Sequence, residues 1–139
     1  MYRILVAVDG SEQSQRAARY AAQRAQETGC KVHLLHVAKE VMAWEVGPLT
    51  SGVTVESLHE SEAKAALADC ACAFGASTLV EQHIVVGEPA RIILEQADKL
   101  GASEIVIGSR GRRPATATVL GSVAYQVLHE AHVPVVVVR

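Results

Sequence analysis

The chain has 139 residues, half of them apolar but only 4% aromatic, and a formal net charge of −2. A chain of this length suits one domain, residues 1–139, burying roughly two thirds of the surface its unfolded form exposes. The charge balance offers no basic face for nucleic acid, and no apolar run approaches the about 20 residues of a membrane span.

Residues 3–8 are a continuous apolar run ended by Asp9-Gly10-Ser11, the pattern of a buried strand entering a loop. Ser11 is placed to cap a helix whose Ala17, Ala18, Ala21, Ala22 and Ala25 share one face, with Thr28-Gly29 at its end. Residues 31–37 read as a second strand and 80–86 as a third. Between them a loop over 39–52, with Trp44, Gly47, Pro48 and Gly52, precedes a helix over 54–74. Gly87-Glu88-Pro89 opens a further helix through Ile92, Ile93, Ala97 and Leu100, closed by Gly101. Residues 104–108 and 133–138 are the fourth and fifth strands, joined by a helix bearing Val123, Ala124, Val127 and Leu128. Regular alternation with continuously apolar strands predicts an α/β fold: an open, doubly wound, five-stranded parallel sheet with helices on both faces.

Cys30, Cys70 and Cys72 are odd in number and lack zinc or C-x-x-C spacing, so free thiols packed on helix ends and faces are expected. The chain enters a strand pattern within its first four residues, which predicts no signal peptide and a cytoplasmic location. His36 reads as a hydrogen-bonded structural histidine. His33, His59, His83, His129 and His132 show no ligand spacing, so no metal held by protein side chains alone is expected.

In such a sheet a ligand binds beyond the carboxyl ends of the strands, where strand order reverses. If the chain starts centrally and winds outward before returning, that point lies between strands 1 and 4. The loops there are Asp9-Gly10-Ser11 and Gly108-Ser109-Arg110-Gly111, with Gly121-Ser122 at the next helix start. Glycines leave room for phosphates, Ser122 offers a hydroxyl and an N–H at a helix N-terminus, and Arg110, Arg112 and Arg113 add positive charge. Asp9 suits ribose hydroxyls or a metal, and equally suits a turn or cap; the arginines equally suit a solvated loop. Neither G-x-x-x-x-G-K-[ST] nor G-x-G-x-x-G follows strand 1, which excludes a P-loop NTPase and a Rossmann dehydrogenase.

Gly108-x(2)-Gly111-x(9)-Gly121-Ser122 resembles the G-2x-G-9x-G-[ST] ATP-binding motif of the universal stress protein family. The opening run Ile4 to Ser11, Leu34-Leu35-His36-Val37, Gly87-Glu88-Pro89 and the terminal valines extend the likeness along the whole chain. The resemblance implies a Rossmann-like sheet of order 3-2-1-4-5, similar to the adenine nucleotide alpha hydrolases, binding ATP with Mg or Mn. By position it implies that Ala7 and Val37 border the adenine, that Asp9, Ile107 and Gly108 meet the ribose, and that Gly111, Gly121, Ser122 and Val123 hold the phosphates. Val8 and Arg110 complete the expected binding set. The chain departs from the family between the motif glycines, where Pro114, Ala115, Thr116, Ala117 and Thr118 stand in place of frequent Gly, bulky or basic residues.

The same order puts Val135, Val136, Val137 and Val138 on an edge strand, which a homodimer would cover. The expectation is a nucleotide-dependent dimeric stress-response or signalling module without catalytic residues, since no general base accompanies the phosphate loop. The alternatives are a nucleotide-free interaction dimer and a slow ATPase.

Overall fold

Ile4, Leu5 and Val6 are wholly excluded from solvent. Burial of that kind, about 1.5–3 kcal/mol per large aliphatic side chain, makes the first strand the centre of the molecule. The computed structural model describes residues 1–39, 55–110 and 120–139. Trp44 with its loop, and Gly111, Arg112, Arg113 and Pro114 to Thr118, lie outside the described residues.

The elements run β1 (Arg3–Ala7), α1 (Glu12–Thr28), β2 (Lys31–Ala38), α2 (Val55–Ala71), β3 (Val80–Val86), α3 (Pro89–Leu100), β4 (Glu104–Gly108), α4 (Ser122–Glu130) and β5 (Val135–Val138). The strands form one parallel sheet of order β3-β2-β1-β4-β5, as expected. The fifth strand is shorter than its apolar run: Pro134 has no N–H to add to the ladder, though its carbonyl accepts from Ile105 N–H at 3.0 Å.

Period-two alternation sends the side chains to two separate cores. Ile4, Val6 and Val8 pack with the alanine face of α1 and with Ala66, Leu67 and Cys70 of α2. Leu5 and Leu35 pack on the other side with Ile92 and Ile93 of α3 and Ala124 and Val127 of α4. Helix ends follow the local chemistry. Ser11 caps α1 by accepting from Ser14 N–H at 3.2 Å, and the Glu88 carboxylate caps α3 by accepting from Ala90 and Arg91 N–H. The three cysteines are free, with Cys30 and Cys70 buried and Cys72 exposed. Burial pushes the Cys70 thiol up to about 11.

Alanine brings α1 close to the sheet, and at the end of β4 even a methyl group is too large. A Cβ on Gly108 would stand 2.7 Å from Cβ of Gln13 and 3.1 Å from its backbone carbon. Gly108→Ala should therefore destabilise the fold by about 1–3 kcal/mol. Gly75→Ala, at a position with open space around it, should be neutral or slightly stabilising. Urea denaturation of the two variants checks the difference; equal midpoints would refute the steric account.

Candidate functional site

The carboxyl ends of β1 and β4 lie side by side, because Ile4, Leu5 and Val6 are in register with Glu104, Ile105 and Val106. Beyond β1 the chain turns sharply at Gly10, whose φ of 83° favours glycine. The Asp9 carboxylate fixes the turn, its Oδ1 accepting from both the N–H and the hydroxyl of Ser11. The turn role open to Asp9 is thus filled, by one of its two oxygens.

Beyond β4 the backbone is tied twice at Ser109. Its N–H donates to the Val138 carbonyl and its own carbonyl accepts from Gly121 N–H, both at 2.7 Å. The second bond closes the base of the segment between the motif glycines and brings the start of α4 to the end of β4. No side chain among the described residues caps α4. An uncapped first turn leaves donors and the positive end of the helix dipole available to an anion.

The expected site residues supply an apolar and a polar part. Ala7, Val37, Ile107 and Val123 all belong to the core on the α3/α4 side, with Ala7, Val37 and Val123 partly exposed at its margin. Asp9, Arg110, Gly121 and the exposed Ser122 supply the polar part. Val8 stands apart: its side chain is buried in the opposite core, its N–H donates to the Leu35 carbonyl, and its carbonyl accepts from Nδ1–H of His36. It supports the crevice from behind. Gly108 also departs from the reading as phosphate room, since the space its missing side chain leaves is filled by Gln13. Gly111 is outside the described residues. An open depression of about 600 Å³ lies on the outer side of α4, lined by Leu120, Ser122, Tyr125, Gln126, His129 and Glu130. It shares only the helix start with the crevice.

His36 is the structural histidine expected, bonded to Val8 at 2.9 Å. The absence of a histidine grouping is corrected. Register pairs His33 with Glu81 and Leu35 with His83, so strand alternation puts His33, Glu81 and His83 on one face. Nδ1 of His33 lies 2.9 Å from Nε2 of His83 and 3.4 Å from Oε2 of Glu81. The other Glu81 oxygen takes Lys31 Nζ at 2.7 Å. These residues stand about fifty positions apart, so spacing along the chain conceals them; the alternating pairs Lys31, His33 and Glu81, His83 on two strands were the available signal.

A model of the universal stress protein family matches residues 1–139. A universal stress protein of Mycolicibacterium smegmatis is 34% identical over 146 residues, covering 99% of this chain and 48% of that protein. YxiE of Bacillus subtilis, also a universal stress protein, is 33% identical over 146 residues, covering 99% and 98%. The chain thus spans about half the length of the first and nearly all of the second. The structure of the universal stress protein from Archaeoglobus fulgidus in complex with dAMP matches with a TM-score of 0.72 and 29% identity, covering 100% of this chain and 98% of that one. A universal stress protein in complex with cAMP matches with a TM-score of 0.70 and 25% identity, covering 99% and 96%.

Burial, and then the neighbouring His83, hold the His33 imidazole below its ordinary value of 6.5. Between that lowered value and 6.5 the unfolded chain takes a proton that the folded chain refuses. The resulting stability is complete above this window and is lost as pH falls through it. Urea midpoints measured between about pH 7.5 and about pH 5 should fall with pH, and less steeply in His33→Gln. Identical slopes in the two proteins would remove the assignment.

Proposed function

The chain belongs to the universal stress protein family, and from that premise we propose that it binds ATP in the crevice between β1 and β4. The observation that carries this reading is the uncapped start of α4, held beside the end of β4 by the bond from Gly121 to Ser109. Adenine mononucleotides in two structures of the family support it.

In this reading Ala7 and Val37 border the base and Ile107 the ribose, while the second oxygen of Asp9 accepts a ribose hydroxyl. The triphosphate lies over the first turn of α4, with Ser122 and Val123 beside it. A Mg or Mn ion would be held by the Ser122 hydroxyl, with its remaining ligands from phosphate oxygens and water. In this reading the module binds nucleotide without turning it over. With it goes a cytoplasmic stress-response role, in which a partner reads nucleotide occupancy. No helix among the described residues is long and apolar enough to cross a membrane.

Gly121 has φ −61° and ψ 153°, a conformation open to any residue. Gly121→Val should therefore fold normally yet bind ATP at least about tenfold more weakly by calorimetry, a loss of about 1.4 kcal/mol or more. Failure of the unaltered protein to bind ATP, ADP or AMP at about 1 mM would overturn the proposal.

The same reading includes a homodimer through β5. Val135 to Val138 are half-buried in the single chain, and β5 pairs only with β4 among the described strands. The carbonyls of Pro134 and Val138 face β4, so by strand alternation the N–H groups of Val135 and Val137 face the open edge. Val137→Pro removes an outward donor and leaves the β4 ladder intact. Sedimentation should show a dimer for the natural chain and a folded monomer for the variant; a natural chain that sediments as a monomer would refute the arrangement.

A further inference from the structure

We propose that His33, Glu81 and His83 form a binding site for a divalent transition metal of the zinc type, separate from the nucleotide crevice. Their donor atoms all lie within 4.8 Å of one another. They sit on the sheet face that carries Leu5 and Leu35, across the junction of β2 with the edge strand β3.

The distances suit a single ion. Nδ1 of His33, Nε2 of His83 and Oε2 of Glu81 form a triangle with sides of 2.9, 3.4 and 3.8 Å. A metal about 2.1 Å from each donor then sits just out of their plane, with ligand angles of about 90°, 110° and 130°. That is a distorted tetrahedron whose fourth position opens to water. Two imidazoles and one carboxylate form a donor set for zinc, cobalt or nickel and a poor one for magnesium or calcium.

The surroundings hold the donors in place. His33 is 3% exposed, and its strand backbone is paired on both sides, with β1 and β3. The salt bridge from Lys31 to Oε1 of Glu81 orients the carboxylate so that Oε2 faces the two rings. Nε2 of His33 is buried without a hydrogen-bond partner, which leaves Nδ1 as the nitrogen that meets the other donors. In the metal-free pair one ring nitrogen donates to the other. With the proton on Nε2 of His83, metal entry moves it to Nδ1 of the same ring, and His33 keeps its own on Nε2. Both imidazoles stay neutral and no proton is released from the pair.

An ion here would clamp the edge strand β3 onto β2. The test uses the full chain, stripped with chelator and free of nucleotide, titrated with zinc chloride by calorimetry and with cobalt chloride by visible absorption. The natural chain should bind one equivalent with a Kd of about 10 μM or tighter, give tetrahedral cobalt bands, and melt at a higher temperature with zinc. Glu81 and His83 are not buried, so His83→Gln and Glu81→Gln should fold; each should weaken zinc binding at least about tenfold while ATP binding is unchanged. His129→Gln and Cys72→Ser should bind zinc as the natural chain does. Unchanged zinc affinity in either His83→Gln or Glu81→Gln, loss of binding in Cys72→Ser, or no binding by the natural chain would overturn the proposal.

Discussion

One residue's backbone holds the crevice together. Ser109 donates to the end of β5 and accepts from the start of α4, so three elements converge on a single residue just past β4. Without the bond to Gly121, the first turn of α4 would be an ordinary surface helix end. With it, the positive end of that helix faces the point where strand order reverses, and the register of β1 with β4 supplies the floor. Both bonds are main-chain bonds, so the side chain at position 109 is left out of the arrangement.

The crevice has two kinds of wall, and each arises from the alternation of strand side chains. Ala7, Val37, Ile107 and Val123 reach it from the core on the α3/α4 side. Val8 points into the other core and contributes only backbone, which fixes His36 and so the end of β2. A small side chain at position 7 and a bulkier one at position 8 thus serve opposite layers. The sheet is the partition between them.

The strands and helices were legible because β1, β4 and β5 are largely continuous apolar runs and α1 and α3 carry their own caps, Ser11 and Glu88. Sheet order and the position of the crevice followed from the alternation together with the likeness to one family's motif. What escaped was whatever depends on neighbours across strands. The two-residue period sends the Val8 side chain to the face opposite Ala7. His33 and His83 were separated by spacing and are joined by the parallel register. Pro134 lies inside an apolar run that periodicity alone extends to Val133, yet lacks the N–H a ladder requires. The contact of Gly108 with Gln13 depends on how closely an alanine-faced helix settles, a distance no linear pattern records.

That last contact bears on how relatives of this chain are to be read. Gly108 is kept small by the first turn of α1, whether or not a nucleotide is ever bound. A descendant that abandoned its ligand would still be selected to retain this glycine for folding, while Gly121, with an unstrained backbone, would be free to drift. The two glycines of one motif therefore carry separate records, one of the architecture and one of the ligand.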